Sequence, residues 1–174
     1  MIRHALSVAV ASVLLAAPQA RATPSELAPL IEAERPAGCS DYRFLFWDFY
    51  RAELWTDARD LPGESYALSL TYRSKFSRDE LVEASLDEMA RISGRPVSAF
   101  GPARDQMARA FRDVVPGDRI TAWRAAPGRV VVFVNGTEMG ALTDDAELFL
   151  SIWLGDKTRH PEGRTALLDG RCDG

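Results

Sequence analysis

The spacing of apolar residues changes several times along this chain between that of a strand and that of a helix. Tyr66–Tyr72 alternates apolar and polar side chains, and Pro62-Gly63 just before it favours a turn, so we predict a strand there. Asn135-Gly136 has the residue types of a type I′ hairpin turn. A meander is predicted around it, with strands at residues 120–125, 129–134 and 137–139.

Helical spacing begins after Ser77. Ser77 and Glu80 have the spacing of a capping box, in which each side chain hydrogen-bonds the backbone amide of the other residue. The helix that follows is predicted to run to about Ser93, and Gly94 is a suitable stop. Three more helices are predicted: at residues 102–114, from a cap at Thr143 or Asp144 to Gly155, and at residues 162–168.

Arg43–Trp55 fits neither pattern. It contains six aromatic rings in thirteen residues, with Asp48, Arg51 and Glu53 among them. A strand with one solvated face should alternate apolar and polar residues, yet both parities are largely apolar in this segment. We therefore predict a long strand, or a bent pair of strands, that is covered on both faces, by helices on one side and by a ligand on the other.

The order of these elements predicts an α+β fold, an antiparallel β-sheet with helices packed on one face. Residues 23–38 hold three prolines and Gly38 among charged residues, and we expect them to form a flexible leader with at most one helical turn. The folded domain is then expected to span residues 39–174.

Residues 1–22 have the features of a secretory signal peptide. Arg3 supplies the positive start, Ala5–Ala17 is a run of small and apolar residues, and Ala20-Arg21-Ala22 offers a cleavage site. The run is too short for a membrane-spanning helix, which needs about 20 apolar residues. We expect cleavage after Ala22 and a soluble protein in the periplasm or outside the cell.

The charge balance argues against binding to nucleic acid. The whole chain has 21 basic and 25 acidic residues, and loss of Arg3 and Arg21 with the signal peptide leaves 19 against 25, a net charge of −6. Affinity for nucleic acid comes mainly from neutralising phosphates with basic residues. We therefore expect no nucleic-acid partner, and the sequence identifies no protein partner.

Cys39 and Cys172 are the two cysteines, and they lie near opposite ends of the exported part. An even number of cysteines in an oxidising compartment favours a disulfide. The alternative is that both cysteines remain free thiols. A redox role is the weakest interpretation, since the chain has no Cys-x-x-Cys.

Few residues suit catalysis. His160, before Pro161, is the one histidine left after export, so multi-histidine metal sites and catalytic triads with a histidine base are not expected. His160 itself is interpreted as a loop residue, and Trp55, Trp123 and Trp153 as core. We predict no metal site, no cofactor and no catalytic residue.

Arg43 is the candidate that remains, together with the hydroxyls of Tyr50 and Tyr72. An arginine beside aromatic hydroxyls can hold a carboxylate at the mouth of an apolar pocket. The alternative is a structural ion pair of Arg43 with Asp48 or Asp41. Seven residues separate Arg43 from Tyr50, so on one regular strand they would face opposite sides, and they can share a site only across a bulge or bend.

Five segments together resemble the chalcone isomerase-like family, in particular its exported bacterial branch. They are FWDFYRAELW at 46–55, SLTYRSKFSRDELVEASLDEM at 69–89, VVPGDRITAW at 114–123, FVNGTEMGAL at 133–142 and FLSIWLGDKTRHPEGRTALL at 149–168. The resemblance implies an open-faced sheet covered by helices, with a cleft for an apolar ligand between the two layers.

That family contains isomerases, which close a flavonoid ring, and non-catalytic relatives that bind fatty acids. In the binders an arginine and a tyrosine hold the carboxylate, and the resemblance places these at Arg43 and Tyr50. The isomerases carry a threonine at that tyrosine position. A second tyrosine of the binder motif is replaced here by Trp55 or Leu54.

Three hypotheses about function follow. The first is an exported, non-catalytic protein that binds a small amphipathic ligand such as a fatty acid through Arg43, Tyr50 and Tyr72. The second is an intramolecular lyase or isomerase. The third is a scaffold or partner-binding module without a small ligand.

Overall fold

The computed structural model describes residues 23–44, 47–58, 62–170 and 172. The predicted signal peptide lies outside the described residues, and so do residues 45 and 46 of the aromatic segment.

Six antiparallel strands form one sheet in which every strand neighbours the next along the chain. Asn135 and Gly136 have positive φ angles of 50° and 85°, which confirms the type I′ turn. The aromatic segment forms parts of two strands, which is the second of the two predicted alternatives, and the first of these strands begins at Gly38, before the segment itself. The strands are β1 (Gly38–Phe44), β2 (Trp47–Trp55), β3 (Tyr66–Tyr72), β4 (Arg119–Ala126), β5 (Arg129–Val134) and β6 (Thr137–Leu142).

The helices lie near their predicted positions. The Ser77–Glu80 capping box is present at the start of the first helix, and Gly94 ends it with a φ of 73°. The second helix is shorter than predicted and follows a short 3-10 turn, Val97–Phe100. The helices are α1 (Arg78–Ser93), α2 (Gly101–Ala110), α3 (Ala146–Leu154) and α4 (Pro161–Leu168).

The cap predicted for α3 was wrong. Asp145 occupies the N-cap position, with a left-handed φ of 53° and no side-chain hydrogen bond. The amides of Thr143 and Asp144 instead donate to the side-chain oxygen of Gln106, at 2.8 and 3.2 Å. Gln106, a residue distant in sequence, therefore holds the segment that leads into α3.

Helices cover one face of the sheet, which we call the helix face. Leu54, Leu68 and Ala122 point to this face and join the core formed with the helices. Their neighbours Trp55, Ala67 and Trp123 point to the opposite face. We call that second side the outer face.

The predicted flexible leader packs against the outer face. Leu27 and Ile31 are buried there against Trp55 and its neighbours. The carboxylate of Glu26 accepts hydrogen bonds from Arg119 at 2.9 Å and from the Thr121 hydroxyl at 2.9 Å. The apolar residues of this segment and Glu26 thus cover the outer face, which confirms that both faces of the sheet are covered, although on this side by chain rather than by a ligand.

Candidate functional site

Three tyrosines form a row across the helix face at one end of the sheet. The antiparallel register places Tyr42 opposite Tyr50, and Tyr50 opposite Tyr72. The rings of Tyr42 and Tyr50 stack with centroids 4.9 Å apart, and those of Tyr50 and Tyr72 meet edge-on at 5.6 Å. The structure therefore brings together the two predicted tyrosines, Tyr50 and Tyr72, and adds Tyr42, which the sequence did not single out.

The Tyr50 hydroxyl is oriented by a tryptophan of α3. The indole Nε1 of Trp153 donates a hydrogen bond of 3.0 Å to the Tyr50 oxygen. Because an N–H can only donate, the hydroxyl proton of Tyr50 is left free to point at another acceptor. The sequence analysis interpreted Trp153 as a core residue. The structure shows that it also orients the Tyr50 hydroxyl.

Burial keeps these hydroxyls neutral. It raises the pKa of Tyr42, of Tyr50 and of Tyr72 well above the ordinary tyrosine range. For Tyr50 the Trp153 hydrogen bond lowers the pKa, but burial outweighs it. The three groups are therefore hydrogen-bond donors rather than bases at any ordinary pH.

A cleft with two connected parts lies between these tyrosines and the helices. The inner part has a volume of about 130 Å³ and is lined mainly by apolar side chains, including Leu70 of β3, Phe111 at the end of α2 and Phe149 of α3. The outer part has a volume of about 370 Å³. Both parts share lining residues: Tyr50, Tyr72, Leu81, Ala84, Glu88, Ile152 and Trp153.

Charged residues collect where the outer part of the cleft opens. Arg159 and His160, from the loop between α3 and α4, line this mouth together with Glu88 of α1. The Arg159 guanidinium contacts the Glu88 carboxylate, which Arg91 also holds at 2.8 Å. Burial would raise the pKa of Glu88, but the hydrogen bonds from Arg91 and Arg159 lower it below its ordinary value.

Arg43 does not join the tyrosines. A β-bulge at Phe49 interrupts the β1–β2 register between Tyr42 and Arg43, yet the Arg43 side chain remains on the other side of the sheet from Tyr50. Its guanidinium contacts Asp41 at 3.3 Å and Asp48 at 3.7 Å, and the side chain is 60% exposed. The structural ion pair considered for Arg43 is therefore the arrangement observed, and the structure does not bring Arg43 and Tyr50 together.

The sequence reasoning missed the residues that line the mouth. His160 was interpreted as a loop residue and Arg159 was not singled out, because no local pattern marks them. Their place at the cleft follows from the packing of α4 on β1. A disulfide between Cys39 and Cys172, with Cα atoms 4.7 Å apart, joins β1 to the segment after α4, as predicted.

Within the described residues no group of histidine, cysteine or acidic side chains could hold a metal ion. The helices of the described part are also too short or too polar to cross a bilayer.

Comparison with known proteins agrees with this architecture. The sequence profile described as chalcone isomerase-like matches residues 48–169. The chain belongs to the chalcone isomerase-like family. No curated protein matches the chain.

Among solved structures, the fold of this family member is similar to that of a fatty-acid binding protein of Arabidopsis thaliana. The TM-score is 0.54, the sequence identity is 13%, and the match covers 78% of this chain and 86% of the plant protein. At this identity the similarity extends to the fold, and the expected open-faced sandwich of sheet and helices is confirmed.

Proposed function

We propose that this protein binds a small amphipathic molecule, such as a fatty acid, in the cleft between the helix face and helices α1 and α3, and that it does so without catalysis. The single observation that carries the proposal is an apolar cleft with one oriented hydroxyl, that of Tyr50. The plant relative of the same fold is named as a fatty-acid binding protein, which supports this choice of ligand.

The shape of the cleft suits a ligand with a narrow apolar tail. Small-molecule sites usually have volumes of about 300–1,000 Å³, and the outer part, at about 370 Å³, is at the low end of that range. The inner part can accept only the end of a chain. Apolar burial then supplies affinity at roughly 25 cal/mol per Å².

The chemistry of the cleft supports binding rather than turnover. Tyr50 and Tyr72 have raised pKa values because they are buried, so neither hydroxyl provides a base for proton abstraction. Glu88 is engaged by two arginines, and its lowered pKa makes it a weak base.

Export is part of the proposal. The Cys39–Cys172 disulfide supports it, because disulfides persist mainly in oxidising compartments such as the periplasm and the cell exterior. Detection of a chain that begins at Thr23 in a periplasmic or culture fraction would test this part directly.

Binding is tested with delipidated protein and decanoic acid, followed by calorimetry. Ala84 lines both parts of the cleft from α1, so Ala84→Trp should obstruct it and raise the dissociation constant at least about tenfold, a loss of about 1.4 kcal/mol. Asp87→Trp is the matched control, since Asp87 is an exposed residue of the same helix outside the cleft lining. Equal binding by the two variants, or no binding by the wild type, would contradict the proposal.

A further inference from the structure

We propose that the mouth of the cleft contains a carboxylate subsite, formed by Arg159, the Tyr42 hydroxyl and the first turn of α4. It would hold the acid group of the ligand while the tail lies in the cleft. The inference rests on the proposed function and adds to it the chemical class of the headgroup and the residues that recognise it.

A polar chamber adjoins the apolar cleft at this point. It has a volume of about 410 Å³ and is lined by residues 40–42 of β1 and residues 159–163 around the start of α4. Tyr42, Arg159 and His160 line both this chamber and the outer part of the cleft. A molecule with an apolar tail and a polar head could therefore occupy the two spaces at once.

Tyr42 provides the sign that the chamber receives a polar group. The residue is 4% exposed, and its hydroxyl oxygen has no hydrogen-bond partner among the described residues. A buried hydroxyl without a partner is costly, and such groups are rare unless a ligand or water meets them. The oxygen lies beside Gly163, where a Cβ atom would approach it to 3.1 Å, so the backbone of α4 comes close to this hydroxyl.

The first turn of α4 offers backbone donors at the same place. His160 is the N-cap residue and makes no side-chain capping bond, while Pro161 has no N–H. The first amide to bond within the helix is that of Arg164, which donates to the His160 carbonyl. The amides of Glu162 and Gly163 precede it and have no partner inside the helix, and the positive end of the helix dipole favours an anion there.

Arg159 supplies the charge. Its side chain is 60% exposed, so it can turn towards the chamber. Its present partner, Glu88, would keep the hydrogen bond from Arg91 at 2.8 Å if Arg159 moved. Two acids also line the chamber: Asp41 is already paired with Arg73 at 2.9 Å, and Glu162 is an exposed residue of the first turn of α4. An Arg159 guanidinium turned towards the chamber would bring one positive charge to the carboxylate.

The test compares three ligands of one chain length on delipidated protein: decanoic acid, 1-decanol and decylamine. We expect the wild type to bind the acid at least about tenfold more tightly than the alcohol, as a charge-assisted contact predicts. Arg159→Gln and Tyr42→Phe should each reduce the preference for the acid several-fold, because they weaken binding of the acid more than binding of the alcohol. Arg129→Gln removes the same charge from an exposed residue outside the cleft and should have no effect.

The outcomes separate the two proposals. If all three ligands fail to bind, the proposed function is wrong and the subsite falls with it. If acid and alcohol bind equally well, and Arg159→Gln changes neither affinity, the function stands and the subsite is wrong. Tightest binding of the amine would also overturn the subsite, since the acidic residues of the mouth would then determine the preference.

Discussion

Replacing Tyr42 with phenylalanine should stabilise the ligand-free protein. The substitution keeps the ring and its contacts with Tyr50 and His160, at centroid distances of 4.9 and 5.0 Å, and so creates no cavity. It removes one buried oxygen that has no hydrogen-bond partner among the described residues. Most hydroxyl deletions in a core cost stability, so the expected sign is unusual.

The size of the effect follows from the cost of burying an unpaired polar group, which is about 1–3 kcal/mol. Relaxation around the hydroxyl recovers part of this cost, so we expect the variant to be about 1 kcal/mol more stable. For a chain of this size, such a gain raises the melting temperature by about 2–4 °C.

Tyr50→Phe is the matched control. It deletes the same atom from the neighbouring tyrosine, but there the oxygen accepts the 3.0 Å hydrogen bond from Trp153. Trp153 is 6% exposed, so its indole N–H would be left buried without a partner. We expect a loss of about 1–3 kcal/mol.

Both variants are measured by chemical denaturation of delipidated, disulfide-intact protein, because a bound ligand would add its own stabilisation. The dependence of the unfolding free energy on denaturant should stay constant, so that a change in midpoint reports stability alone. The reasoning is refuted if Tyr42→Phe loses as much stability as Tyr50→Phe, since the Tyr42 hydroxyl would then have a partner in the folded protein.

Three further predictions concern other parts of the fold. All tyrosines should remain protonated past their ordinary pKa of about 10. Tyr66 should lose its proton first, because burial raises its pKa to about 12. Since the pKa values are raised in the folded protein, the tyrosines contribute their full stability below about pH 10, and this contribution falls as the pH rises through the folded pKa values. Tyrosinate absorbance near pH 10 in the native protein would contradict this. Reduction of the Cys39–Cys172 disulfide, which spans 133 residues, should cost on the order of 5 kcal/mol, and a thiol assay on unreduced, denatured protein should find no free thiol. Glu26→Ala should lower the free energy of unfolding by about 2 kcal/mol in a denaturation experiment, because the charge-assisted hydrogen bonds of Glu26 are lost. Glu32→Ala, at an exposed position of the same leader, should leave the free energy of unfolding unchanged.

The sequence predicted local structure correctly where residues close together in the chain determine the backbone conformation. The Ser77–Glu80 capping box and the Asn135-Gly136 turn need only their own side chains and backbone, and both are present. The order of such elements was enough to predict the α+β sheet with helices on one face. The family resemblance then predicted the cleft between the two layers.

Strand register could not be read in the same way. The bulge at Phe49 and the pairing of Tyr42 with Tyr50 depend on how two strands align, and a shift of one residue moves every side chain to the other face. For this reason the sequence left two interpretations of Arg43 open, a clamp with Tyr50 and an ion pair with Asp48 or Asp41, and the structure shows contacts with both acids.

The sequence by itself therefore determined the order of most strands and helices, the class of fold and the predicted disulfide between two distant cysteines. Tertiary structure alone decided which charge stands at the cleft. Arg159 lies 109 positions from Tyr50 in the sequence, and only the packing of α4 on β1 brings its loop to the tyrosine row. Glu26 is a second example, because it contacts Arg119 only when the leader packs on the outer face of the sheet. Hydrogen bonds between near neighbours leave a signal in the sequence, but contacts made across the fold depend on the joint alignment of many residues.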